Sequence, residues 1–376
     1  MKVPLTVIAC VAACGACGGD RPAPAPIRFL HTFGADETEL FNATMSDRGI
    51  AVESSLVPFA RGQQVISEIL DAKHDCPDLI RIDATWLPGL RTQLAPAPAE
   101  LAALDWTPEA AALAQLGGTW WGVPQAVDGL LVVRDSASLA PASARIEDLI
   151  AAARAARSDD RRHPLGLRVD GYWLVPWLRA EHADLAVGAI DGDGATRALA
   201  SYAALFGDVA SPPPPAGSEA PDELRRWNAH EVAYWVTGPW QLGALHDADR
   251  VAVSALAGAP RGGQLLVVPT CAKRPAEGWR LAAELASVPV EIEFARSFAT
   301  VPTRKAALEA APALSRAAYA ALRSAELLPR EAVTPLLFDD LNPALAAVVA
   351  GDATPEEAIE GVRHGWRRLT LARGAR

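Results

Sequence analysis

Between residues 27 and 83 a strand pattern and a helix pattern alternate, and few architectures accommodate that order. IRFLHT (27–32) reads as a strand, and residues 37–48 carry Leu40, Phe41 and Met45 on one helical face. Residues 50–57 alternate as a second strand, residues 61–73 place Val65, Ile66, Ile69 and Leu70 at helical spacing, and PDLIRID (77–83) reads as a third strand. Strand, helix, strand, helix, strand implies a parallel sheet with helices on its faces. Ligands on such sheets sit at the carboxyl ends of the strands, so the loops 33–36 and 83–86 belong to one rim.

The stretch GTWWGVPQAVDGLLVVR (118–134) is the second constraint. A glycine turn and two tryptophans lead through Val123-Pro124 to the polar residues Gln125 and Asp128. An apolar run at 130–133 follows, with the β-branching of a buried strand. An acid just ahead of such a strand faces solvent, a partner or a ligand, because an unpaired buried carboxylate is costly. Two readings fit: a turn acid before an ordinary strand, or a chain crossing between two lobes with Asp128 facing the cleft.

Further on, residues 146–156 read as a helix, GYWLVPWLR (171–179) is aromatic-rich, and 195–206 is a helix behind Asp191-Gly192-Asp193-Gly194. Those aspartates lack the remaining ligands of a calcium loop, so they read as a turn and helix cap. SPPPPAGS (211–218) reads as surface loop. Residues 232–236, 251–256 and 264–269 read as strands, 277–286 as a helix, and the last third as helical. A chain of 376 residues is long enough for two domains, and with 50% hydrophobic and 21% charged residues it is globular rather than disordered. A net charge of −10 argues against a nucleic-acid partner, which needs concentrated Lys and Arg.

Signatures of the common enzyme classes are missing: the sequence has no G-x-S-x-G, P-loop, H-E-x-x-H or dinucleotide fingerprint. Its 7 histidines are scattered without metal-ligand spacing. Asp36, Asp83 and Asp128 could converge in a cleft as glycosidase carboxylates do, but no motif supports that. What remains is a set of aromatic residues, Trp86, Trp120, Trp121, Tyr172, Trp173, Trp177 and Trp240, near loops expected to line a cleft. Sugars present apolar C–H faces that indoles cover and hydroxyls that carboxylates, amides and guanidinium groups pair.

The N-terminus has a basic residue, Lys2, and a short apolar segment, 4–13, followed by VAACGACGGD (11–20). It resembles a bacterial lipoprotein signal with its lipobox. Lipidation is expected at Cys17, where CGGD resembles a mature start, with Cys14 the alternative because VAAC fits the box. A plain secretory signal remains open, and both readings export the chain. RPAPAP (21–26) would then be an extended tether.

Five segments in order resemble the family 1 extracellular solute-binding proteins of ABC importers, the carbohydrate binders of the maltose/trehalose type. They are PDLIRIDATWLPGL, WWGVPQAVDGLLVVR, VAYWVTGPWQLGAL, VPTRKAAL and LNPALAAVVAGDATPEEAIEGV. The resemblance implies an α/β, two-lobed periplasmic-binding-protein fold of type II, like maltose-binding protein. Each lobe would be a mixed sheet flanked by helices, joined at a hinge. Signal and lipobox would take 1–17, the tether 18–26, the first lobe 27–127 plus 259–318, and the second 128–258 plus 319–376. It also implies ligand contacts at Phe33, Asp36, Asp83, Thr85, Trp86, Gln125, Asp128, Tyr172, Trp173, Gly238, Trp240 and Arg304.

On that resemblance the protein is not an enzyme and holds no cofactor or metal. It would be a lipid-anchored monomer outside the cytoplasm, in the periplasm or at the cell surface. It would bind a disaccharide or small oligosaccharide between the lobes and deliver it to ABC permease subunits. The alternatives are a non-sugar solute on the same fold and a secreted glycosidase. In the implied fold the strand 264–269 runs antiparallel beside 77–83, with 267 opposite 80. Cys76 then faces Cys271, and a disulfide is implied, with two free thiols as the alternative.

Overall fold

The computed structural model describes residues 25–136, 139, 143–213 and 222–374. The apolar leader, Cys14, Cys17 and the tether up to residue 24 lie outside the described residues. The strands, in chain order, begin with β1 Ile27–His31, β2 Val52–Leu56, β3 Leu79–Asp83, β4 Gln115–Leu116, β5 Thr119–Trp120 and β6 Val123–Gly129. They continue with β7 Leu131–Asp135, β8 Leu165–Gly166, β9 Tyr234–Thr237, β10 Val251–Ser254, β11 Pro260–Val267 and β12 Glu326–Leu327.

The alternating pattern before residue 84 becomes a parallel set: β1 pairs β2 and β3 in parallel, and the helices Ala35–Asp47 and Phe59–Ala72 make the crossovers. The first sheet runs β12-β11-β3-β1-β2, with β6 also on β11, and the second runs β10-β7-β9-β8. Each is a mixed sheet, since β11 is antiparallel to β3 and β6, and β9 is parallel to β8 but antiparallel to β7. Two sheets with their own helices give the two-lobed α/β architecture.

The stretch 118–134 is organised differently from the expectation of one strand preceded by an acid. Val123–Gly129 is itself a strand, and Asp128 lies within it. Pro124 is tolerated there because, among the described residues, β6 has a strand partner only in β11 and otherwise meets a single bridge, Val127 to Val301. The chain leaves the first sheet at Gly129, whose φ of 148° suits glycine, and enters the second at Leu131. β11 begins at Pro260, four residues earlier than its apolar run suggests, because Arg261, Gly262 and Gly263 already pair with β6.

The residues 171–179 form a helix, Gly171–Ala180, with Pro176 inside it, and Asp170 caps it by accepting from the Tyr172 N–H at 2.8 Å. One face of the first sheet packs Phe29, Phe41, Leu79, Val123, Leu266 and Phe294 into a core. The other face continues into the core of the second sheet through Val127, Leu130 and Leu131. The observed register sets Val267 opposite Ile80, and Cys76 is disulfide-bonded to Cys271 with a Cα separation of 5.9 Å. Among the described residues no helix is long and apolar enough to cross a membrane.

Candidate functional site

Strand register, rather than loop geometry, assembles the polar centre. Asp83 ends β3 opposite Gln264 of β11, and Gln264 in turn faces Ala126 of β6. Asp128 lies two residues past Ala126, so the pleat returns its side chain to the same face. The Gln264 Nε2 lies 3.4 Å from Asp83 Oδ2 and 3.3 Å from Asp128 Oδ2, so one amide bridges both carboxylates. Glycine makes this approach possible: a Cβ on Gly262 would stand 2.8 Å from Asp128 Oδ1. Gly263, at φ 158°, has no room for a Cβ against the Ala126 carbonyl.

Thr85 holds the other Asp83 oxygen, donating from its N–H at 2.8 Å and from its hydroxyl at 2.5 Å. Beneath the pair lies the buried Arg81, the one basic residue of β3. Its Nε donates to Gln125 Oε1 at 3.0 Å and its Nη1 to Thr32 Oγ1 at 2.9 Å, and its guanidinium sits 4.5 Å from the Phe33 ring centre. Burial pushes both carboxyls up. Asp128 reaches about 7, with burial first and the neighbouring Asp83 second, while Gln264 and Arg81 pull the other way. For Asp83, the Thr85 bonds, Arg81 and Gln264 oppose the burial. The buried Gln264 Oε1 makes no hydrogen bond, leaving an acceptor beside the two acids.

The helix Gly171–Ala180 supplies the facing wall. Tyr172 donates to the Pro260 carbonyl at 3.4 Å, and burial, then Asp128 and Asp83, raise its hydroxyl well above the ordinary value. Its ring meets Trp173 edge-on at 5.8 Å, and Trp173 meets Trp240 edge-on at 6.2 Å. Trp173 is buried, donating to the Val236 carbonyl at 2.8 Å under Arg168. Trp240 is 44% exposed at the start of the turn Pro239–Ala244, and its ring folds back over Gly238, where a side chain would collide with it. The aromatic series Tyr172, Trp173, Trp240 therefore leads from the acids to an open indole face.

Of the residues expected from sequence, Asp83, Thr85, Asp128 and Tyr172 meet at one place, with Gln125 behind them and Gly238 and Trp240 at the wall. Others go elsewhere. Phe33 is buried among Phe29, Phe41 and Phe294. Asp36 is exposed in the first turn of the helix Ala35–Asp47. Trp86 is buried against Gly62 and covered by Phe59, whose ring lies 5.3 Å away. Arg304 pairs with Asp105 and lies over Trp106, apart from the bridged acids. The wider aromatic expectation also contracts: Trp177 meets Tyr202 edge-on in the core, and Trp120 and Trp121 belong to the β4–β5 hairpin region.

Gln264 and Arg81 were missed as site residues. The available signals were the Gly262-Gly263 pair directly before Gln264 and the lone basic residue in LIRID. Among the described residues no group of three or more His, Cys, Asp or Glu is placed to hold a metal.

No protein-family model and no curated protein matches the chain by sequence. Solved structures do match by shape. The GacH receptor of Streptomyces glaucescens, solved unliganded and with acarbose, is 23% identical with a TM-score of 0.78, over 92% of this chain and 98% of that one. The maltose/maltodextrin-binding domain MalE of Bdellovibrio bacteriovorus, bound to maltotriose, is 13% identical with a TM-score of 0.78, over 92% and 100%. An ABC-transporter solute-binding protein of Thermotoga lettingae, bound to α-D-tagatose, is 20% identical with a TM-score of 0.76, over 91% and 98%. This chain therefore has the two-lobed fold of the maltose-binding-type ABC solute-binding proteins.

Proposed function

We propose that the protein is the extracytoplasmic binding component of an ABC importer and holds a sugar between its two lobes. The observation that carries this is the pair of carboxylates, Asp83 and Asp128, bridged by Gln264 and joined through Tyr172 and Trp173 to the exposed ring of Trp240. Hydroxyl donors of a sugar suit two carboxylates and the free Gln264 acceptor, and a pyranose C–H face suits the open indole. The structural neighbours hold maltotriose, tagatose and acarbose, all carbohydrates or close mimics, on the same fold. The protein binds its ligand without altering it and passes it to permease subunits as a lipid-anchored monomer. A disaccharide or small oligosaccharide is the size expected. Rotation about the crossings between the sheets brings the walls together, as in other two-lobed binders.

A thermal-shift screen against mono- and disaccharides, maltotriose, polyamines and organic anions tests this. A sugar at a hundred times its Kd stabilises by about 2.7 kcal/mol, a readily measured rise in Tm. Stabilisation by a polyamine or organic anion and by no sugar would reassign the ligand. Release of reducing ends from an oligosaccharide would make the protein a glycosidase.

A further inference from the structure

Among the described residues the chain passes between the two lobes at three places. β6 gives way to β7 after Gly129, β10 leads back to β11 before Pro260, and β12 in the first sheet precedes the helices Phe338–Ala350 and Pro355–Gly374, which pack on the second lobe. Arg179, in the last turn of the helix Gly171–Ala180, meets two of these crossings at once. Its Nη1 donates to the carbonyls of Gly258 at 3.2 Å, Ala259 at 3.3 Å and Glu326 at 3.3 Å, and its Nη2 to that of Leu327 at 3.1 Å. Nη1 carries two hydrogens for three acceptors, so at least one bond is shared. Nε pairs with Asp184 at 3.2 Å, and the Arg179 side chain is only 10% exposed.

The remaining crossing joins the same knot. The Pro260 carbonyl accepts from the Leu130 N–H at 3.2 Å and from the Tyr172 hydroxyl at 3.4 Å, and Glu326 N–H donates to Ala259 at 3.0 Å. Gly258, at φ 72°, turns left-handed beneath Arg179, where a Cβ would lie 3.2 Å from the arginine's own. Tyr172 and Arg179 are seven residues apart on one helix, so they share a face two turns apart. A single helix thus has one end at the bridged carboxylates and the other on the crossings.

We propose that Arg179 is the positioning residue of the hinge: it fixes the pivot where the crossings meet and thereby the angle at which Tyr172 and Trp240 face Asp83 and Asp128. The role requires arginine. A planar fork reaches four carbonyls on two segments, whereas a lysine ammonium has three donors on a point charge and cannot span them in one plane. Arg179 touches no ligand in this scheme, and only its effect on affinity rests on the sugar-binding reading.

The test places fluorophores at the exposed positions Glu68 and Ser201, one on each lobe, in the full chain carrying Arg179→Met, Arg179→Lys or Asp184→Asn. In ligand-free protein, Arg179→Met should broaden the inter-lobe distance distribution, Arg179→Lys should broaden it less, and Asp184→Asn should leave it near wild type. Maltotriose binding should weaken roughly two- to thirtyfold in Arg179→Met. An unchanged distribution in a folded Arg179→Met protein overturns the proposal, and so does an Asp184→Asn variant that reproduces the whole effect. If Arg179→Met does not fold, Arg179→Lys decides, a wild-type distribution counting against the pivot. A broadened ligand-free distribution with no sugar bound by wild type would support the pivot while refuting the sugar.

Discussion

Burial and the adjacent Asp83 push the Asp128 carboxyl up to about 7, so the folded protein keeps a proton there after the unfolded chain has released it. The unfolded aspartate titrates at about 4. Between about pH 4 and 7 the folded state therefore binds more protons, and this group makes stability fall as pH rises through that window. Asp128→Asn removes that slope. The fall in urea midpoint from pH 5 to 8 should be shallower in Asp128→Asn than in wild type, and parallel profiles would show that the carboxyl is not perturbed. Glu223 and Glu291 are also pushed up to about 7 by burial, but they contribute equally to both proteins.

The same residues show what sequence can and cannot reveal. An acid before an apolar run marks Asp128 because an unsupported buried carboxylate is expensive, and a Gly-Pro-Trp turn marks Trp240. Burial of a particular ring is not written locally. Trp86 is in the core because Phe59, 27 positions earlier, covers it and Gly62 leaves space for it. Gln264 reads as one more strand residue until the register of β3, β11 and β6 is known.

At the scale of elements, the disulfide ties the start of β3 to the segment after β11. It closes a sequence separation of 195 residues. The same pole holds Arg274, which donates to Asp78 and to the Pro26 carbonyl, each at 2.5 Å, so the chain enters the first lobe at the end away from the bridged acids. In the chain-entropy model such a link contributes at most about 5 kcal/mol. Cys76→Ser/Cys271→Ser should lower the urea midpoint and leave sugar affinity unchanged. A midpoint equal to that of oxidised wild type would show that the cross-link adds no stability, and lost affinity would show that it shapes the cleft.

The first three strands and their helices were legible because period and turn chemistry agree locally. β6 was not, because Val-Pro and two polar residues conceal a strand whose ladder is made mostly with one partner. β12 was equally hidden: two residues carry no period, and only Pro260 and Arg261 define it.

At the scale of the whole molecule, two lobes joined by three crossings place an acid-lined wall opposite an aromatic one, with the N-terminal approach at the far pole. That arrangement suits a protein tethered by its N-terminus with its cleft free. Replacing Cys14 and Cys17 together should release the protein from the membrane fraction with its ligand affinity intact. Retention of the double variant on membranes would exclude the lipid anchor.

The central claim is that the Gln264-bridged acids and the Trp240 ring form one sugar site, and calorimetric titration tests it most directly. Maltotriose, or whichever sugar gives the largest thermal shift, is titrated into wild type, Asp128→Ala and Trp240→Ala, each shown to be folded. A hydrogen bond to a charged group is worth roughly 1.5–3 kcal/mol, so Asp128→Ala should bind about ten- to a hundredfold more weakly, and Trp240→Ala should also lose affinity. Wild-type affinity in both variants would contradict the site.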